Sequence, residues 1–444
     1  MPEEIMVRIL SLISVSLFLA ACGGGTPEQA QSDAEAPAAA AETNLPGAGI
    51  VAFRGAAIWD GTGGAMKYNQ SLLVRDGRIE GFAEEVPDGA DVVDLGGNWI
   101  VPGFVNAHGH VSGRWAADDV TDPTERVKGD LALYARYGVT SVVSLGGAPP
   151  EAFALRAMND DPSISHARLL VAGELAAGNT PEEAVAIALA NIEKGADWIK
   201  LRVDDNLGTG QKMPWDAVQV VMNAAKAAGI PVATHIFYMD DAERLLQMGT
   251  GLIAHSVRDQ AVTDEFVQAT LDSGVCYVPT LVREVSTFVY AKRPDWFDDP
   301  FFLEAAKQSE IDRVSQPDFM SRVAASPSSA AYKRSLDQAD ENLRIVLGSG
   351  VPVAFGTDSG PAGRFPGYFE HMEFDLMTEA GMTPREILLS ATSVAANCVH
   401  LDDVGTLEAG KWADFVVLTE DPTRDIKAAR SIRDVYMAGK AVER

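Results

Sequence analysis

What most constrains this chain is a rhythm of apolar run and helical segment that starts at Pro102 and repeats eight times. The runs are "GFVNAHGH", "VTSVVSLGG", "ARLLVAGE", "ADWIKLRV", "PVATHI", "GLIAHS", "VCYVPTL" and "VPVAFGTDSG". They are nearly continuous in apolar residues, as strands buried on both faces are. Between them, segments such as "PEEAVAIALANIEKG" and "PWDAVQVVMNAAKAAG" carry apolar residues at helical spacing. Strict alternation of strand and helix predicts an α/β fold with a parallel sheet, and eight repeats predict its closure into a (β/α)8 TIM barrel over 102–400. One interval, about 282–350, is too long for an ordinary loop and is expected to carry helices that cap the barrel mouth.

The flanks read differently. From Ile50 the text changes to short strands with turn signals: "GIVAFRGAAIWDGTGG", "SLLVRDGRIEGF" and "ADVVDLGGNWIVPG". Asp-Gly in "RDGR" suits the tight turn of a hairpin. At the other end "VGTLEAGKWADFVVLTEDP" and "RDVYMAGKAVER" return to strand and turn. The segments 49–101 and 401–444 are therefore predicted to build one small β-sandwich domain from the two ends of the chain.

Ahead of that domain, "MVRILSLISVSLFLAAC" has a basic residue, an apolar stretch and small residues before Cys22, the plan of a secretory signal over 1–21. It is short for a membrane span. Leu19-Ala20-Ala21-Cys22 resembles the bacterial lipoprotein box, which implies lipidation of Cys22 and an exported, lipid-anchored protein. Gly23, where inner-membrane retention would favour aspartate, points by the same resemblance to the outer membrane, facing the periplasm. The two acids of "MPEEI" leave open whether translation starts at Met1 or Met6. Residues 22–48 have little to bury and are expected to be a flexible tether. Cys276 and Cys398 lie in apolar surroundings and are expected as separate buried thiols.

Composition narrows the partners. Sixty-three acidic residues against 36 basic ones give a formal net charge of −27, a surface that repels phosphate backbones and anionic headgroups. Nucleic-acid binding is excluded on that ground, and the membrane is expected to be met through the lipid anchor only. A homo-oligomer is left open.

The polar residues of the runs can now be placed. Residues i and i+2 of a strand share a face, so His108 and His110 should project side by side, with Gly109 clearing space between them. Lys200 sits within the fourth run, His235 and His255 end the fifth and sixth, and Asp358 ends the eighth. Barrel sites form at the C-terminal ends of strands, so these six should converge on one mouth.

Taken together, "VPGFVNAHGH", "WIKL", "ATHIF", "IAHS", "FGTDSG" and "GTLEAGKWADFVVL" resemble the amidohydrolase superfamily. Within it, the similarity is to the imidazolonepropionase-like and Xaa-Pro-dipeptidase-like metal-dependent hydrolases, from about residue 50 to the C-terminus. The resemblance implies two divalent ions of the zinc type: His108, His110 and Asp358 on the more buried one, His235 and His255 on the other. Lys200, carboxylated to N6-carboxylysine, would bridge them. The residue types suit that chemistry, since neutral imidazoles and carboxylates are good ligands and a buried lysine yields the neutral amine that reacts with carbon dioxide. A bridging hydroxide would attack the substrate carbonyl, and Asp358 would shuttle the proton to the departing nitrogen. The expected reaction is hydrolysis of an amide bond in a small dipeptide-like or N-acyl amino acid substrate. Tyr238 and Arg283 are positioned to meet the substrate carboxylate. The turns "LGGAPP" and "AGELAAGNTP" lack the histidine that relatives often place there, which leaves peptide specificity open. A cyclic amidase, lactonase or mononuclear deaminase on the same scaffold is the alternative enzyme reading, and a metal-binding surface lipoprotein without turnover is the non-enzymatic one.

Overall fold

A computed structural model describes residues 47–444. The expected signal segment, Cys22 and the tether through residue 46 lie outside these residues. No helix among the described residues is long and apolar enough to cross a membrane.

Seven parallel strands form where the apolar runs lie: Phe104–Gly109, Val139–Ser144, Arg168–Val171, Ile199–Arg202, Val232–His235, Leu252–Ala254 and Cys276–Val278. Every residue of the second strand is buried, as its unbroken apolar run requires. Inward-facing residues such as Ala107, Val143, Ala233, Ala254 and Ala354 share one apolar cluster. Their alternates, among them Phe104 and Val142, pack outward with helix residues such as Leu131 and Val218. Each large apolar side chain so buried stabilises the fold by roughly 1.5–3 kcal/mol.

The ladders differ from the expected continuous barrel. Strands one to three form one parallel arc and strands four to seven another. The eighth run makes no ladder. Pro352 lacks an N–H to give, and the segment meets its neighbours through isolated bridges, Tyr277 with Val353 and Gly109 with Ser359. Backbone bonds still seat it between the seventh and first strands, Ala354 N donating to Tyr277 O and Ala107 N to Phe355 O, each at 2.9 Å. Across the other gap, Asp197 N donates to Val171 O at 2.8 Å.

The long interval after the seventh strand carries helices Leu281–Val285, Pro300–Leu303, Gln308–Val314, Pro317–Ala325 and Pro327–Gly348. Its aromatics Tyr290, Phe297 and Phe302 pack with Phe365, Tyr368 and Phe369. At the ends of the described chain, Ile50–Arg54, Ser71–Arg75, Arg78–Ala83 and Asp91–Asp94 form one sheet. Trp99–Pro102 pairs with Phe415–Leu418 in a second, and Phe53, Phe415 and Tyr436 pack in a cluster that draws on both. Asp76 at φ 50° and Gly77 at φ 80° make the left-handed two-residue turn that "RDGR" foretold.

The cysteines correct one expectation. Cys276 and Cys398 form a disulfide, with Cα atoms 5.9 Å apart across 122 residues of sequence. One opens the seventh strand, the other ends helix Ala395–Cys398, and both lie in the inner apolar cluster. An apolar setting looks the same around a thiol and a half-cystine, so sequence context could not separate the two.

Candidate metal centre and active site

His108 lies inside the first strand and His110 just beyond its end, and both face the cavity with ring centroids 5.6 Å apart. Gly109 faces the other way. A Cβ there would sit 2.7 Å from Val142 Cγ2 and 2.9 Å from the Tyr134 hydroxyl, so the glycine permits packing behind the strand rather than space between the imidazoles. The turn that follows is pinned by buried Asp130, whose carboxylate accepts the N–H groups of Ser112, Gly113 and Trp115 at 2.9, 2.7 and 2.8 Å.

Asp358 is held in a left-handed conformation, φ 56°, which a non-glycine residue adopts at a cost of about 1–3 kcal/mol. The structure around it supplies the restraint. On either side of it, Thr357 and Ser359 donate their hydroxyls to Glu370 Oε1 at 2.7 and 2.6 Å, and the Asn106 amide donates to the same oxygen at 2.7 Å. Glu370 is fully buried, and burial raises its pKa. So placed, Asp358 Oδ1 is 2.7 Å from His110 Nε2 and 3.7 Å from His108 Nε2. The three residues offer ligand atoms that all lie within 4.8 Å of one another.

His235 ends the fifth strand and His255 follows the sixth at φ 75°. The His255 ring centroid lies 4.2 Å from that of His235 and 4.8 Å from that of His108. Three rings have one nitrogen occupied by an outer partner: His110 Nδ1 by Gly146 O at 2.8 Å, His235 Nε2 by Asp204 Oδ2 at 3.0 Å, and His255 Nδ1 by the Thr280 hydroxyl at 2.7 Å. A carbonyl or an ionised carboxylate can only accept, so His110 Nδ1 and His235 Nε2 carry hydrogen; the free nitrogen of His235 presents a lone pair, while His110 Nε2 meets Asp358 Oδ1.

Burial holds His108 and His255 well below the usual imidazole range and brings His235 to about 3, so all three are neutral at pH 7. Burial likewise lowers the Lys200 amine to about 7, partly offset by Asp358. Burial alone would raise Asp358, but the Arg364 guanidinium and the bonded His110 hold it well below the usual carboxylate range. His108 Nδ1, Lys200 Nζ and His255 Nε2 are buried without a hydrogen-bond partner. Orphaned buried donors and acceptors of this kind are costly unless something binds them. Buried imidazoles, one carboxylate and a buried lysine amine fit divalent metal, and outer partners on the imidazoles are usual for such ligands.

The six residues line a cavity of about 500 Å³. Leu145, Gly146 and Leu175, from the turns after the second and third strands, form part of its wall. Arg283 is in the lining, with Nη1 on Glu284 Oε1 at 2.9 Å and Nε 3.9 Å from Asp358 Oδ2. Tyr238 is not. It precedes helix Met239–Gln247, its hydroxyl donates to Asp205 at 2.7 Å, and the Lys212 ammonium lies 3.9 Å from its ring centre. Its short offset from His235 suggested the cavity, but the helix start turns it aside. Three other residues escaped the sequence reading. Arg202, two residues after Lys200 and so on the same strand face, could have been found by that spacing. Arg364, which reaches Asp358 from a loop, and Asp204, behind His235, carry no such signal.

Comparison with known proteins agrees with this geometry. Residues 99–442 match the Amidohydrolase family. The imidazolonepropionase of Deinococcus deserti is 25% identical over 402 residues, spanning 84% of this chain and 92% of that protein. A Xaa-Pro dipeptidase crystallised with methionine in its active site shares the fold with a TM-score of 0.69 at 22% identity, over 89% of this chain and 100% of that one. A prolidase in complex with N-methylphosphonate-L-proline gives a TM-score of 0.69 at 21% identity with the same coverage.

Proposed function

We propose that this chain, which belongs to the amidohydrolase family, hydrolyses an amide bond in a dipeptide-like or N-acyl amino acid substrate. It is a metal-dependent hydrolase of carbon–nitrogen bonds. The observation that carries the finer reading is the convergence of His108, His110 and Asp358 within 4.8 Å, with Lys200 Nζ and His255 Nε2 orphaned in the same cavity. His108, His110 and Asp358 would hold one divalent ion and His235 and His255 a second, with Lys200, as N6-carboxylysine, between them. Bound there, such ions polarise a carbonyl and bring water to the point of ionising near neutral pH.

The chain's own groups do the rest. Asp358, ionised and braced through Glu370, accepts the proton of the attacking water at a carboxylate oxygen and delivers it to the departing amide nitrogen. Asp204 and Gly146 O fix the imidazoles of His235 and His110 so that the other nitrogen of each ring faces inward. Arg283 offers a guanidinium to the substrate carboxylate from the cavity wall. In the same reading, the two arcs and the segment 351–358 make one eight-part barrel wall, because both gaps carry backbone hydrogen bonds. The two terminal sheets form a sandwich about Phe53, Phe415 and Tyr436.

The test is metal content on protein purified without chelator, followed by rates on a panel of dipeptides and N-acyl amino acids against lactams, lactones and aminopurines. Two equivalents and turnover of the acyl amino acids are expected. No metal after supply of zinc and bicarbonate would overturn the reading, and one equivalent would overturn the lysine bridge. Export with a lipid on Cys22 belongs to the same proposal. It is supported by the N-terminal pattern and by the Cys276–Cys398 disulfide, a bond that persists in oxidising compartments. Mass spectrometry of the mature N-terminus checks it, and an unlipidated chain retaining Cys22 in the cytoplasm would refute it.

A further inference from the structure

The whole chain is strongly acidic, with 63 acidic residues against 36 basic ones, yet the cavity reverses that sign. Arg202, Arg283 and Arg364 reach its lining, and among the described residues the lining includes one carboxylate, that of Asp358. Arg202 reaches Asp204 Oδ2 at 3.4 Å and is the most exposed of the three, although its Nε too is buried without a partner. The other two have partners they must share.

Arg283 and Arg364 share a wall. Arg364 Nη1 donates to Asp358 Oδ2, and Arg283 Nε lies 3.9 Å from the same oxygen. Arg364 is oriented by its Nε on the Ser286 hydroxyl at 3.1 Å. Arg283 is anchored from behind by Glu284 Oε1 at 2.9 Å, but that oxygen also answers buried Arg258 at 3.0 Å. Three guanidiniums, of Arg258, Arg283 and Arg364, thus face the two carboxylates of Glu284 and Asp358, which leaves one positive charge over although Glu284 Oε2 is itself without a partner. Arg283 Nε is buried without a hydrogen-bond partner, on a residue only 7% exposed that lines the cavity. A buried charged donor left in this state is costly unless an anion answers it, as removing one partner of a buried pair is. Asp358 cannot answer both arginines while also serving the metal ligand set. One planar carboxylate saturates one guanidinium fork, so two forks side by side call for two.

Resting on the amidohydrolase reading above, we propose that the amine portion of the substrate is a dicarboxylic amino acid, aspartate or glutamate. One carboxylate sits on Arg283 and the other on Arg364. The acyl side is either a simple acyl group or an aminoacyl residue.

The experiment compares kcat/KM of the metal-loaded enzyme for N-acetylglutamate, N-acetylglutamine and N-acetylleucine, and for Gly-Glu and Gly-Gln. A preference of about tenfold or more for glutamate over glutamine is expected, as for the loss of a close charge pair. The two series distinguish acyl from aminoacyl substrates. R364Q should bring the glutamate-to-glutamine ratio close to one. A merely structural role would lower both rates and leave the ratio alone, which would overturn the assignment. If R364Q does not fold, R364K keeps the charge without the fork and should retain part of the preference. Equal rates on glutamate and glutamine substrates in the parent enzyme also overturn the proposal. Should no acyl amino acid turn over, the functional reading fails by itself. The clamp is then judged by thermal shifts with glutarate and butyrate: stabilisation by glutarate alone, lost in R364Q, supports it, and equal shifts refute it.

Discussion

Asp358 combines a strained backbone with an ionised side chain, and both conditions are imposed by neighbours. Glu370 ties down the residues on each side of it, and Arg364 with His110 keeps its carboxylate charged against burial. Asp358→Asn keeps the shape and removes the base, so kcat should fall by about 10²- to 10⁴-fold with circular dichroism and melting temperature unchanged. Wild-type rates in that variant would remove Asp358 from the proton path. Asp204→Asn removes the acceptor that fixes His235, and metal affinity should drop by about 10- to 100-fold, measured by chelator competition. Unchanged affinity would make Asp204 a bystander. At this scale the sequence was readable where strand spacing governs: His108 and His110 share a face because residues two apart must. It was unreadable where a loop governs. Arg364 reaches Asp358 through a turn whose path no periodicity encodes, and Tyr238 leaves the cavity because a helix begins beside it.

Helix Tyr368–Glu379 stitches the site together as a unit. Glu370 braces Asp358, His371 Nε2 donates to Tyr137 O at 2.9 Å, and Glu373 accepts the N–H groups of Leu281 and Val282 at 2.8 and 2.7 Å. Those charged and polar residues are buried, so the usual rule of apolar face inward and polar face outward misreads this helix. The barrel strands were legible because burial on both faces leaves continuous apolar text. The broken ladder at the eighth run was not, since one proline and a few turn residues decide it. Burial brings the His371 imidazole from its ordinary 6.5 down to about 3, although its bond to Tyr137 opposes the shift. The folded state therefore resists a proton that the unfolded chain accepts. Its contribution is fully present above pH 6.5 and is lost progressively as pH falls toward 3. Between pH 6 and 4, His371→Gln should lose less unfolding free energy than wild type, by up to about 1.4 kcal/mol per pH unit. Parallel pH profiles in urea titrations would contradict this.

For the whole molecule, the disulfide is the one covalent tie between distant parts among the described residues, closing 122 residues of chain. Replacing both cysteines by alanine should lower stability by about 2–4 kcal/mol in denaturant unfolding under oxidising conditions, with the wild type reaching the same level under reductant. Equal stability of the two proteins in oxidant would mean that the bond does not form.

The charge distribution has a consequence for how molecules arrive. An envelope of net charge −27 pushes anions away at long range, while the guanidiniums act only once a ligand is inside. Raising ionic strength from about 0.01 to 0.15 M shrinks the reach of the outer field from about 30 to 8 Å and leaves buried pairs little changed. For a dianionic substrate kcat/KM should therefore rise with salt, and for a neutral analogue it should stay flat. A fall with salt would mean that the cavity's own field extends past the rim and governs encounter. In the brine-poor limit this protein repels at a distance the class of molecule it is built to hold, and dissolved electrolyte sets how often the two meet.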